Sequence, residues 1–445
     1  MAVVGVSLHN DRHPANVIYN KNHLRYPVKT FPVNPRGGRL QAQTVYVSIS
    51  DIPEKIDLAV IVARAQHVPD ILTECIQTGV GGAVVVSAGF AEVGQRDLQD
   101  RLTRIAREAG FPFIGPNCLG IYAPFQVDTF FLPSERMVRP ESGNVALVSQ
   151  SGGILVDQMI KFSSQGIGLS LAVSIGNKAL VGELDLLHYL IEDPATKVIA
   201  FYVEGFGRGE GREFVLAAKE SPKPVIIMKA GKSPGTSQAI SSHTSSLAGD
   251  YATFSAVSAQ HGIVEAKSDF ELVSFCEALS CYTTGIQGRA AIVTGSGGHG
   301  AIAVDLCTEY GFAVPSLSGS VQRKIKENLS QSVKEIAALG NPIDLTGSAV
   351  DDDFVAAVES LSTLEEIDCI LLLLLPYLPG ISSDLGARLS QLYDRNHKPL
   401  VAYVPHVEKY RMLIEGFELN HTPVAPSVEG VVLMAEAMRR RRYGK

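Results

Sequence analysis

Two stretches of this chain can be laid over one another without a gap. "VALVSQSGGILVDQMIKFSSQGIG" (145–168) and "AAIVTGSGGHGAIAVDLCTEYGFA" (290–313) each read as a strand, a glycine-rich turn, a helix and a closing glycine. The likeness continues downstream, with "TKVIAFYVEGF" over "IDCILLLLLPY", "KPVIIMKAG" over "KPLVAYVPH", and "QHGIVEAKSDFELVSFCEAL" over "NHTPVAPSVEGVVLMAEAM". Strands this apolar must bury both faces, and a parallel sheet wound by helices does that. Each copy therefore predicts an open α/β domain of flavodoxin-like type. Upstream, "DLAVIVARAQHVPDILTECIQTGVGGAVVVSAGF" (57–90) alternates strand and helix patterns in the same way. Period is lost at 123–143 and again at 283–288, so three α/β domains are expected at 1–125, 140–283 and 288–445.

A duplication supplies its own control, because residues needed only for the shared fold should recur in both copies while chemistry can sit in one. Two differences stand out. The first copy alone carries the Gly/Ser/Thr-rich excursion "GKSPGTSQAISSHTSSLAGDYATFSA", which holds His243, and it alone ends a buried strand with a carboxylate, Glu204, where the second copy runs out through Leu375 into Pro376. Taken singly, a histidine in a polar loop such as His243 reads as a surface residue, and a solvated strand-end charge is one alternative for Glu204. Together, on the edge of an open sheet where ligands bind, they suggest a pair: a glutamate accepting from one ring nitrogen fixes the tautomer and leaves the other nucleophilic.

The turn at Ser151, Gly152 and Gly153 offers backbone N–H groups at a helix start, a place for a phosphoryl group. The second copy repeats the turn at 293–300, so part of the glycine content is architectural; His299 there is a rival histidine without a carboxylate like Glu204. The first domain opens with Gly5 and Ser7 where a dinucleotide fold would carry GxGxxG, and Asn34-Pro35 stands where an acid for the NAD ribose would be wanted. That argues against an NAD-dependent oxidoreductase and for a nucleotide-like ligand with a different phosphate pattern.

Composition removes other classes. The 445 residues carry 39 Lys and Arg against 46 Asp and Glu, a net charge of −7, and the one dense basic run, Arg439 to Arg442, reads as a solvated helix end, so nucleic acid is a poor partner. Six cysteines lie scattered with no CxxC pair and no Cys/His cluster for a metal. The longest apolar run, "CILLLLLP", is far short of the ~18 residues that cross a membrane. With strand-like sequence starting at the N-terminus and no basic leader, these features read as a cytoplasmic protein.

In order along the chain, "VVGVS" with "PVNP", "SAGFAE", "GPNCLGIY", "VSQSGG", "SIGNKA", "DPATKVIAFYVEG", "KAGKSPG", "SSHTSSLAG" and "NPIDLTG" make the whole sequence resemble the α subunit of ADP-forming acyl-CoA synthetases, in the succinyl-CoA synthetase superfamily. The resemblance implies a Rossmann-like, CoA-binding first domain, with Gly5, Ser7, Asn34, Pro35, Ser87, Ala88, Gly89, Pro116, Asn117 and Cys118 along the coenzyme A side. It implies that His243 is the phosphorylated residue, that Glu204 orients it, and that Ser151, Gly152 and Gly153 cradle phosphate. It also implies a partner, since no ATP-grasp module or Walker A motif is present: ATP or ADP and Mg would sit on an ATP-grasp β subunit in a hetero-oligomer acting on a small carboxylic acid or its acyl-CoA. Two departures from the family pattern are Ser245, where Gly is common, and His299, where Pro is common. A CoA-binding regulatory or scaffold subunit without turnover is the alternative from another class.

Overall fold

The computed structural model describes residues 1–207, 209–233 and 250–441. The chain divides into two compact units, Met1–Lys267 and Ser268–Lys445.

The first unit holds two sheets. One is five-stranded and parallel, in the order Phe31–Val33, Ala2–Val4, Leu58–Ile61, Gly82–Val85, Phe113–Ile114. The other runs Val264–Ala266, Val225–Lys229, Val198–Val203, Ser142–Ser149, Leu169–Ser174 in parallel, and then adds the hairpin Gly120–Ala123 and Val127–Asp128, which lies antiparallel to Leu169–Ser174. The second unit holds a six-stranded sheet whose parallel strands are Ile343–Asp344, Ala290–Thr294, Cys369–Leu373, Leu400–Tyr403 and Val424–Ala425, edged by the antiparallel Ala338–Leu339. Counting parallel strands in chain order, all three sheets read 2-1-3-4-5, the flavodoxin-like order, whose direction reverses between the first and third strands.

The fold class expected from the repeat is the one observed. "VIAFYV" (Val198–Val203) and "CILLL" (Cys369–Leu373), equivalent strands of the two copies, occupy central places and are buried almost throughout. The helix Gly152–Ser164 turns Leu155, Met159 and Phe162 inward at i, i+4 and i+7. In the first unit one apolar cluster takes Val60 and Val84 from the five-stranded sheet and Val148, Ile199 and Ile227 from the seven-stranded one, so the two sheets share a core.

One feature differs from the sequence reading. The start of the aperiodic stretch 123–143 belongs to the hairpin that extends the second sheet, and its Asp128 is buried in an ion-paired cluster with Lys21 (2.8 Å) and Arg139 (2.5 Å). Polar residues there mark a buried network, where a pattern search sees only lost period. The helix Asp269–Cys281 packs along its counterpart in the repeat, Val428–Arg440.

Candidate functional site

In a parallel sheet every strand ends at the same edge, so the loops after the five strands of the first sheet converge. Gly5 and Ser7 follow the first strand and Asn34-Pro35 the second, while Ser87 to Gly89 follow the fourth and Pro116 and Asn117 the fifth. Gly5 has φ +98°, and a methyl there would lie 1.9 Å from the Val62 carbonyl oxygen, so only glycine fits. Ser7 is fixed by Asn16, whose Oδ1 accepts the Ser7 N–H (2.6 Å) and whose Nδ2 donates to the Ser7 carbonyl (2.8 Å). Asn34 donates to the Val6 carbonyl (2.6 Å) and accepts from the Arg36 N–H (2.9 Å). Glu92 takes the Gly89 and Phe90 N–H groups (2.6 and 3.1 Å) and the side-chain amide of Asn177 (2.5 Å); despite burial, these bonds hold its carboxyl below the usual range. Ser87, Pro116 and Cys118 are buried, whereas Pro35, Ala88 and Asn117 are exposed. The Cys118 thiol donates inward to the Val85 carbonyl (3.3 Å), and burial pushes its pKa up, so any contact of Cys118 with a ligand falls to its backbone.

At the edge of the second sheet, the Ser149 hydroxyl closes the turn into the helix Gly152–Ser164, donating to the Ser151 carbonyl (2.7 Å) and accepting its N–H (3.1 Å). Ser151 caps the helix through the Ile154 N–H (3.4 Å), and the amides of Gly152 and Gly153 stand in the first turn, where helix geometry offers them no acceptor. Beside Gly153 there is open space; beside Gly152, Leu119 would meet an added methyl at 3.0 Å. The second copy closes the same turn with Thr294 and Ser296 (3.3 and 3.1 Å), which makes the turn itself architectural. There His299 bonds Ser296 Oγ (3.2 Å) and stacks near Tyr403.

Glu204 follows the strand Val198–Val203 and is only 7 % exposed. Its Oε2 is buried and has no hydrogen-bond partner among the described residues. An ionised carboxylate oxygen so placed carries a large desolvation cost unless a donor arrives. The polar atoms of its peptide, by contrast, are all engaged. Gln150 Oε1 accepts the Glu204 and Gly205 N–H groups (2.6 and 3.2 Å), Lys229 Nζ donates to the Glu204 carbonyl (2.7 Å), and Gln150 Nε2 and Lys178 Nζ donate to the Gly205 carbonyl (2.7 and 2.8 Å). Gln150 also donates to Glu183, a fully buried carboxylate paired with Lys178 at 2.9 Å. Burial pushes the Glu183 pKa up, and the Lys178 ammonium opposes it; Lys229 is pushed down by burial, against the pull of the Glu204 charge.

One short segment joins the two edges. Asn177 bonds Glu92, Gln99 (2.9 Å) and Asn117 (3.3 Å) on the first, and the next residue, Lys178, bonds Glu183 and Gly205 on the second. His243 lies outside the described residues. The strand registers Val145↔Val198 and Ala290↔Cys369 put the buried Leu375 in the place of Glu204, as the aligned letters do, and Pro376 falls one residue later. Gln150, Lys178, Asn177 and Glu92 were within reach of sequence reading, since each lies in a motif quoted above, "VSQSGG", "SIGNKA" or "SAGFAE". Among the described residues no cluster of potential metal ligands occurs, and no helix is long and apolar enough to cross a membrane. A cavity of about 540 Å³ beside Lys21, Arg25 and Phe131 includes none of the expected site residues.

Residues 1–124 match a family model described as a CoA binding domain, and 142–279 one described as a succinyl-CoA ligase like flavodoxin domain. The chain is 37 % identical over 380 residues to acetate–CoA ligase (ADP-forming) I of Archaeoglobus fulgidus, the match covering 84 % of this chain and 54 % of the relative. It is 31 % identical over 449 residues to acetate–CoA ligase (ADP-forming) I subunit alpha of Pyrococcus furiosus, covering 98 % and 95 %. The chain thus spans about half the length of some curated relatives and nearly all of others. Among solved structures, the dinucleotide forming acetyl-coenzyme A synthetase 1 of Ca. Korarchaeum cryptofilum, in complex with phosphate and ADP, superposes with a TM-score of 0.88 at 29 % identity, covering 99 % of this chain and 94 % of that one.

Proposed function

Since this chain belongs to the ADP-forming acyl-CoA synthetase family, matched nearly end to end by an α-subunit relative, we propose that it is the CoA-binding and phosphohistidine part of an acid–thiol ligase. The reaction interconverts acyl-CoA, ADP and phosphate with carboxylic acid, CoA and ATP. The observation that carries this reading is the buried, unpartnered Glu204 carboxylate oxygen at the reversal point of the second sheet.

Phosphate displaces CoA from the thioester, giving an acyl phosphate. An imidazole nitrogen of His243 then attacks phosphorus; the N–P bond forms, the O–P bond breaks, and the carboxylate leaves. ADP takes the phosphoryl group as the N–P bond breaks. Glu204 accepts from the other ring nitrogen, sets the tautomer, and balances the charge that builds on the ring. The first-turn amides of Gly152 and Gly153 hold phosphate oxygens beside it. On the first sheet, the loops at Gly5, Ser7, Asn34, Pro35, Ser87 to Gly89 and Pro116 to Cys118 form the coenzyme A side; their fit is that of a nucleotide site at a switch point, with backbone braced by Asn16 and Glu92. ATP or ADP and Mg belong to an ATP-grasp half outside this sequence, and the assembly is a cytoplasmic hetero-oligomer. Functionally we retain three domains, 1–125, 140–283 and 288–445.

Calorimetry on the isolated chain tests the division of labour. CoA should bind and ATP should not, with no ATP turnover; robust ATPase activity of the pure chain, or no CoA binding, contradicts the reading.

A further inference from the structure

We infer that Gln150, Lys178 and Glu183 form a buried bracket that positions Glu204 for the reaction, an inference that rests on the role proposed above for Glu204. All four backbone polar groups of the Glu204–Gly205 dipeptide are held by side chains: three by Gln150, with Lys178 sharing one of these, and the Glu204 carbonyl by Lys229. Backbone at a strand end ordinarily relies on water or neighbouring backbone. Here a single carboxamide takes two N–H groups and gives to one carbonyl, so the dipeptide cannot rotate without breaking several bonds. Gln150 is oriented in turn, because Glu183 accepts its Nε2 and thereby decides which end of the amide faces Glu204. Lys178 neutralises Glu183 with contacts at 2.9 and 3.1 Å, which keeps that carboxylate tolerable at full burial.

The repeat separates this bracket from what the fold alone requires. The hydroxyl-closed turn is common to both copies. The residue inside it differs: Gln150 in the first copy is Gly295 in the second, and there the strand end carries Leu375. The carboxamide that grips the strand end and the carboxylate it holds are thus present together in one copy and absent together from the other. Among the described residues their arrangement leaves Glu204 Oε2 as the group of this strand end with no partner, which is what a carboxylate held ready for a donor requires. Asn177 ties Lys178 to the coenzyme A edge, so the bracket is fixed at both ends.

Gln150→Met keeps length and volume while removing the bonds that Gln150 makes to Glu204, Gly205 and Glu183 and leaving those of Lys178 and Lys229 in place. In the full chain, hydrogen exchange at the amides of Glu204 and Gly205 should rise by about tenfold or more, with the strands Ser142–Ser149 and Val225–Lys229 unchanged. Unchanged exchange at 204–205 overturns the bracket whatever the activity does. In the chain supplied with its ATP-grasp half, kcat for CoA-thioester formation should fall by about 10- to 100-fold with KM for CoA within about twofold. The Gln150→Met/Glu204→Gln double variant should be no slower than Glu204→Gln alone, because the bracket acts through that carboxylate. Additive losses would show that Gln150 acts independently and overturn the positioning role. A normal rate for Glu204→Gln alone would indict the role of Glu204 instead, and the exchange measurement would still decide the bracket.

Discussion

At Glu204 the physical situation among the described residues is an imbalance: every polar atom of its peptide is satisfied, and one oxygen of its carboxylate is not. Glu204→Gln keeps the shape and removes the charge. Folding should survive, and turnover of the assembled enzyme should drop by about 10² or more, as for other charge-stabilising groups; near-normal turnover would remove Glu204 from the mechanism. Lys21 presents the opposite case, a buried charge that is paired and still costly. Burial pushes its ammonium down from 10.5 to about 8, with Asp128 pulling the other way. Between those values the unfolded chain binds the proton and the folded chain does not, so this residue makes unfolding free energy rise with pH, by up to ~1.4 kcal/mol per pH unit. Denaturant titrations from pH 7.5 to 10.5 should show wild type gaining on Lys21→Met across that window. A constant difference would mean that Lys21 titrates near its free value.

The glycine-rich turn into Gly152–Ser164 shows how two adjacent residues of one element do different work. A methyl on Gly152 must push Leu119 aside, whereas one on Gly153 enters open space. Gly153→Ala should therefore leave the fold intact or stabilise it by ~0.5–1 kcal/mol, since alanine is the better helix former. If oxyanions are held at these amides, the same change should weaken inhibition by inorganic phosphate several-fold. Greater stability with unchanged phosphate affinity would assign the glycine to folding alone. Strands and helices were legible here because burial of both sheet faces imposes continuous apolar runs, and because the repeat states the pattern twice. The bracket was not legible as such. Gln150, Lys178 and Glu183 are polar residues with no shared spacing, and only the sheet's parallel register brings the ends of three strands together. The hairpin around Asp128 stayed hidden for a related reason, since its partner Lys21 is over a hundred positions away. Cys118, chosen by motif, points its thiol into the core, a distinction that a motif does not carry.

Across the whole molecule, three sheets of one strand order divide the labour unequally. The first two share a core and are joined at their carboxyl edges through Asn177 and Lys178, which puts the loops proposed to hold coenzyme A in one compact unit with Glu204. The third sheet repeats the turn and has Gly295 and Leu375 where the second has Gln150 and Glu204. The central claim is that His243 carries the phosphoryl group, with Glu204 as its proposed partner. The chain should be incubated with radiolabelled phosphate and acyl-CoA, or with ATP labelled at the γ-phosphate and the ATP-grasp half, and the labelled protein then treated with acid and with alkali. A phosphoramidate on His243 predicts a label lost in acid and kept in alkali, absent from His243→Ala and retained by Ser241→Ala, Ser242→Ala and His299→Ala. Full labelling of His243→Ala, or an acid-stable label on one of the serines, would contradict the account.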